Sequence, residues 1–185
     1  VHQTKHMKLY LILCLSFFSL ILSAQSPEII DYSTNVHCGY RPSPNRKIDV
    51  VVIHSTYNLG KDPFDVTGIL AQFRRYGVAS HYLIDREGKI YRLVTEDKEA
   101  FHAGKSVLPA TGRVNLNATS IGIELINTPT ITPNKQQYAS LVGLIKNIKQ
   151  RYLIRYIVGH SDIAPKRKSD PWNFDWKKFW QMMSA

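Results

Sequence analysis

Cysteine is scarce in this chain, with two among 185 residues, Cys14 and Cys38. Cys14 sits inside an apolar stretch, which leaves Cys38 alone in the remainder and excludes an internal disulfide there. A disulfide-stapled scaffold is therefore ruled out, and stability in an oxidising compartment has to come from packing or a bound metal. Cys38 has no accompanying nucleophile motif and is expected to be a small, partly buried apolar residue. Acidic side chains are also few, 14 against 24 lysines and arginines, for a formal charge of +10. No glycine-rich phosphate loop occurs, nothing completes a Ser-His-Asp set with Ser55, and there is no repeat or low-complexity tract. Long apolar runs are missing apart from Leu9 to Leu22, which is too short for a comfortable membrane span.

That one run carries the marks of an export signal. Met7-Lys8 precedes it, Ser16 and Ser19 are its only polar residues, and Ser23-Ala24-Gln25 follows. A basic start, a short apolar core and a small residue before the cut predict cleavage after Ala24. Val1 to His6 stand upstream of Met7, which is read as the initiator. Lipidation at Cys14 would leave too short a core, so no lipid anchor is expected. Removing 24 of the 185 residues leaves 161, enough for one domain with a proper core. The expected organisation is residues 1–24 as upstream residues plus signal, 25–47 as an irregular lead-in with Pro27, Pro42 and Pro44, and 48–185 as the folded domain. The product would be exported, periplasmic or secreted, without stable membrane insertion after cleavage. Loss of Lys5 and Lys8 lowers the charge from +10 to +8. A basic surface favours polyanions such as nucleic acid, acidic lipid or bacterial wall polymers, or serves solubility alone, and export makes the wall the natural partner. Nucleic acid is not an expected partner, because no motif for it appears.

Strands and helices alternate along the remainder. Ile48 to His54 reads as a buried strand, short and β-branched. Asp62 to Tyr76 reads as a helix with Asp62 as cap, Pro63 at its first position and Gly77 ending it. His81 to Asp85 and Lys89 to Val94 predict a hairpin around Arg86-Glu87-Gly88. Ala100 to Asn117 is expected as a loop, and Ser120 to Ile126 as a second buried strand. Thr132-Pro133 opens a long helix to about Arg151, with Tyr138, Leu141, Val142, Ile145 and Ile148 on one face. Tyr156 to Gly159 is a strand, and Phe174 to Met183 a closing helix. Trp172, Trp176 and Trp180 recur every four residues, a stripe expected to pack in the core. The expected fold is a single α/β domain with a central mixed sheet flanked by helices.

Chemistry concentrates in Gly159-His160-Ser161-Asp162-Ile163-Ala164-Pro165-Lys166-Arg167-Lys168-Ser169-Asp170-Pro171. His160 ends one strand and His54 another, so two imidazoles can meet at one end of a sheet. With Asp170 they make a mixed nitrogen and oxygen set suited to zinc, open at a fourth position. Glu124 is the only charge in an apolar strand, either paired structurally or poised as a general base. Lys168 stands two residues before Asp170, either in the same cleft or as a solvated member of a basic run. Asp162 is expected to tie down the loop after its strand. His81 and His102 are candidates for lining a substrate cleft, or equally for buried residues with backbone partners.

Five blocks in order carry a resemblance: Val51-Val52-Ile53-His54-Ser55-Thr56, Ser80-His81-Tyr82 through Tyr91, Phe101-His102-Ala103-Gly104, Ser120-Ile121-Gly122-Ile123-Glu124-Leu125, and the Gly159 to Pro171 segment. From about Asp49 to Phe179 the chain resembles the N-acetylmuramoyl-L-alanine amidases of the type-2 class, related to peptidoglycan recognition proteins. The resemblance implies zinc held by His54, His160 and Asp170, with Glu124 as general base and Lys168 stabilising the transition state. It also implies hydrolysis of the amide between N-acetylmuramic acid and L-alanine in peptidoglycan or muropeptides. Asp170, Ser80 and Glu124 resemble the bacterial branch, since recognition proteins and phage amidases usually carry cysteine and tyrosine at the first two of these positions. The alternative is a non-catalytic peptidoglycan-binding protein of the same fold, in which a ligand would be expected to be missing.

Overall fold

Short β-branched runs alternate with amphipathic stretches, and the computed structural model, which describes residues 27–185, forms strands and helices from them. In chain order these are β1 (Ile29–Asp31), β2 (Tyr40–Pro42), β3 (Val50–Thr56), α1 (Val66–Tyr76), β4 (Tyr82–Ile84), β5 (Ile90–Arg92) and β6 (Lys98–Ala100). There follow β7 (Ser120–Ile126), α2 (Lys135–Lys149), β8 (Tyr156–Gly159), the single turn α3 (His160–Ile163) and α4 (Trp176–Ser184). The expected export signal and Cys14 lie outside the described residues. Among the described residues no helix is long and apolar enough to cross a membrane.

Six strands form one mixed sheet in the order β1-β5-β4-β7-β3-β8, and β2 pairs with β6 in a separate ribbon. β3 lies between β7 and β8 and runs parallel to both, while β4 is parallel to β7 and antiparallel to β5. Central parallel strands are covered on both faces, which is why β3 and β7 read as continuous apolar runs. Alternation then sorts their side chains. Val51, Ile53, Ile121 and Ile123 face the layer made by α2 and α4, packing with Leu141, Ile145 and Phe179. Val50 and Val52 point to the other face, among Leu108, Leu116 and Ile163. His54 and Glu124 continue this second set.

The mixed sheet and its flanking helices match the sequence expectation, with corrections at the lead-in and at the start of α1. The lead-in is not irregular throughout, because β1 adds to the sheet edge beside β5 and β2 pairs with β6. Part of the expected lead-in therefore belongs to the folded unit. Strands of three residues show too little alternation to be read, and the β2–β6 ribbon is fastened by Arg41, whose guanidinium donates to both carboxylate oxygens of Glu99 at 2.9–3.1 Å. Helix α1 begins later than expected, because Asp65 rather than Asp62 caps it, accepting from the Thr67 and Gly68 N–H groups. Asp62 shapes the preceding turn instead, accepting from the Phe64 N–H. Gly77 closes α1 in the left-handed conformation, as expected. Helix α2 starts at a capping box made by Asn134 and Gln137.

The tryptophan stripe divides. Trp176 packs on Phe174 and Phe179 and Trp180 is half exposed, whereas Trp172 precedes α4 and stacks edge-on with Tyr57.

Candidate metal centre and cleft

His54 and His160 reach the same end of the sheet because β3 and β8 are parallel neighbours. His54 sits near the C-terminal end of β3, and His160 opens α3 directly after β8. This turn is tied by Asp162, whose carboxylate accepts from the Gly159 N–H at 2.7 Å, as expected for it. The Arg167 guanidinium holds the following loop by donating to the carbonyls of Ala103 and Lys105. The chain then returns Asp170 to the cluster, where the Ser161 N–H donates to its carbonyl at 2.7 Å. The Trp172 N–H donates to Ser55 Oγ at 3.1 Å, and Asn127 donates to the Trp172 carbonyl.

Nδ1 of His54, Nδ1 of His160 and Oδ2 of Asp170 converge within this frame. The two nitrogens are 2.9 Å apart, and they lie 3.4 and 3.2 Å from the carboxylate oxygen. All three residues are buried. Metal bonds of about 2.0–2.1 Å place tetrahedral ligand atoms roughly 3.3 Å apart, close to the edges of this triangle. The protons support the same fit. Nε2 of His160 faces the Ala103 carbonyl at 3.3 Å, so a neutral ring donates there and leaves Nδ1 bare. Two bare nitrogens and a carboxylate pointing at one another repel unless a cation lies between them. The donor set is therefore one that fits a divalent metal such as zinc.

Electrostatics differ across the group. Burial pushes His54 down to about 4, only partly offset by Asp170, so its imidazole is neutral at physiological pH. Glu124 goes the other way. Burial, then the nearby Asp170, lifts its carboxyl well above the ordinary value, with Lys168 opposing. Among the described residues its Oε2 is buried without a hydrogen-bond partner, a costly state for a carboxylate that is explained if the atom serves a reactant.

These groups open into a cleft of about 210 Å³ that His54, Glu124, His160, Lys168, Asp170 and Trp172 help to line. Lys168 is exposed at its rim. A larger groove, about 680 Å³, lies beyond the Arg167 loop between Val107, Val114 and Pro165, and includes none of the clustered histidines. The candidate metal ligands and Glu124 line the smaller cleft.

A family model for N-acetylmuramoyl-L-alanine amidase matches residues 44–173, most of the described chain. The protein belongs to this family. The 1,6-anhydro-N-acetylmuramyl-L-alanine amidase AmpD of Enterobacter cloacae is 40% identical over 127 residues, covering 67% of this chain and 66% of that protein. The N-acetylmuramoyl-L-alanine amidase AmiD of Escherichia coli is 38% identical over 154 residues, covering 73% of this chain and 53% of AmiD. The chain thus spans somewhat under two thirds of AmpD and about half of AmiD. A crystal structure of AmpD superposes with a TM-score of 0.70 at 30% identity, covering 85% of this chain and 94% of the other. AmiD in complex with anhydro-N-acetylmuramic acid-L-Ala-D-γ-Glu-L-Lys gives 0.64 at 34% identity, covering 77% of this chain and 60% of the other.

Five of the seven residues singled out in the sequence, His54, His160, Asp170, Glu124 and Lys168, share the cleft of this amidase-family fold. His102 also touches it, but as its floor, with both ring nitrogens engaged by protein. His81 is a correction. It is fully buried and absent from the cleft lining, with Nδ1 accepting from the Gly122 N–H and Nε2 directed at the Lys98 carbonyl. It anchors strands and has no surface to offer a substrate. Ser55, Asn117, Ser120 and Asn127, which hold the site's loops, were not found from sequence. Each is a small polar residue at the end of or beside an apolar strand, and that position was the available signal.

Proposed function

We propose that this protein is a zinc-dependent N-acetylmuramoyl-L-alanine amidase, hydrolysing the amide between the lactyl group of N-acetylmuramic acid and L-alanine in peptidoglycan or muropeptides. The observation that carries this is the convergence of His54 Nδ1, His160 Nδ1 and Asp170 Oδ2 beneath an unpartnered Glu124 carboxylate. Amides are weak electrophiles with a poor leaving group, so such a reaction needs a nucleophile and a way to protonate nitrogen. Zinc held by His54, His160 and Asp170 would supply Lewis acidity toward the carbonyl and toward water.

Glu124 does the proton work. Its Oε2 takes the proton of the attacking water and returns it to the departing amine of L-alanine, so the acyl carbon gains the oxygen as the C–N bond breaks. A carboxylate made more basic by burial suits both halves of that shuttle. Nζ of Lys168, at the rim, meets the negative charge that develops on the carbonyl oxygen. The names of AmpD and AmiD, and the muropeptide bound in the AmiD structure, support the substrate class.

We also infer that residues 1–24 are an export signal and that the mature protein acts outside the cytoplasm. The basic start and apolar run support this reading, and the N-terminal mass of protein recovered from cell envelope and medium tests it. Activity is tested by incubating purified muropeptides with mature protein, with and without chelator, followed by mass spectrometry. Release of stem peptides beginning at L-alanine, abolished by chelator and restored by zinc, is the expected result. Binding without cleavage by zinc-loaded protein would instead identify a peptidoglycan-binding protein of the same fold.

A further inference from the structure

The surroundings of His54 fix which of its ring nitrogens carries the proton. Ser120 Oγ donates its single proton to the Leu116 carbonyl at 2.6 Å. Its lone pairs therefore accept from Nε2 of His102, 3.2 Å away. In a neutral His102 ring that leaves Nδ1 as acceptor, and Nδ1 lies 3.0 Å from Nε2 of His54. His54 must then donate from Nε2, which leaves Nδ1 bare and facing His160 and Asp170.

We propose that His102, fixed by Ser120, is a positioning residue that sets the tautomer and ring orientation of His54 for metal binding. The inference rests on the zinc-amidase reading and extends it to a residue that acts through a metal ligand. Three further features fit this role. Ser120, Gly122 and Glu124 alternate onto one face of β7, so the strand that carries the base also carries the relay's last acceptor. A Cβ on Gly122 would stand 2.4 Å from the His102 ring, so glycine there is what admits the imidazole beside the strand. The backbone around His102 is held independently, because Asn117 Oδ1 accepts from the N–H groups of His102 and Ala103. The loop that bears His102 also offers the Ala103 carbonyl to Nε2 of His160. Both imidazoles of the centre are thus oriented from one short segment, one by a side chain and one by a carbonyl. Partners of this kind on metal-bound histidines typically change affinity about 10–100-fold when removed.

The test is zinc affinity, measured by competition with a chromophoric chelator, on wild type, His102→Phe and His102→Gln. Phenylalanine fills the space without accepting from His54, whereas the glutamine amide can accept from His54 and donate to Ser120. His102→Phe should bind zinc about 10–100-fold more weakly, and His102→Gln should recover most of that loss. In the metal-free wild type, nitrogen-15 NMR should show His54 as the Nε2–H tautomer, a preference lost in His102→Phe. Wild-type zinc affinity in His102→Phe, or an unchanged His54 tautomer there, overturns the proposal and reduces His102 to packing. If wild type itself neither binds zinc nor cleaves muropeptides, the functional reading fails first. That result is distinct from a zinc-binding, active wild type whose His102 variants match it.

Discussion

His54 and Glu124 are direct partners in the parallel ladder between β3 and β7. Paired residues of adjacent strands point to the same face, so one hydrogen-bond register places an imidazole of the proposed metal centre beside a buried carboxylate. A slip of one residue would turn either side chain into the apolar layer beneath α2. The separation of roles between these two neighbours leads to the first prediction.

Glu124→Gln keeps the shape of the side chain and removes its basicity. Zinc content should stay stoichiometric while kcat falls about 10²–10⁴-fold, the usual share of a positioned general base. Metal analysis and kinetics on the same preparation check this, and normal turnover in the zinc-loaded variant would exclude Glu124 as the base.

His160→Ala removes one corner of the triangle. Metal and activity should disappear together, because His54 and Asp170 alone offer two donors where a zinc site with an open fourth position needs three protein ligands. Retention of one zinc per chain by this variant would take His160 out of the ligand set.

Acid should destabilise the metal-free protein through its buried imidazoles. Burial is the main cause that lowers His54 to about 4 and His81 to about 3, and it also places His102 well below its ordinary value. Each folded-state value lies below the unfolded value, so the unfolded chain binds more protons once pH drops beneath about 6.5. The stabilisation is complete above that pH and is lost as pH falls toward 4 for His54 and toward 3 for His81. Each group contributes a slope of about 1.4 kcal/mol per pH unit in that window. Urea unfolding of metal-free protein between pH 7 and 5 should show the loss, and His81→Gln should flatten it by about one proton. An equal slope in the variant would mean that His81 is not buried in its neutral form.

Gly122→Ala should harm both fold and metal site. The added methyl meets the His102 ring, and overpacking of this kind costs about 1–3 kcal/mol. Thermal melts should fall, and zinc affinity should drop in the same variant. A melt and an affinity equal to wild type would show that the ring has room to move.

Much of this protein was determined by its sequence alone. The buried runs around β3 and β7, the helix faces and the left-handed stop at Gly77 all follow from local pattern and backbone preference. So did His54, Glu124 and His160, because a histidine or glutamate within or at the end of an apolar strand is rare enough to notice, whereas Asp170 and Lys168 stood out through the loop after His160 and the family resemblance. Only the tertiary structure decided that β3 lies between β7 and β8, and hence that His54 meets both Glu124 and His160. Strand order is set by packing between distant segments and leaves no periodic mark. Tertiary structure also decided between the two readings left open for His81, placing it in the interior, and set His102 at the cleft floor beside His54. The reason is the same for both. The identity of a histidine's neighbours, and with it the site of its proton, is fixed by contacts from elements tens of residues away.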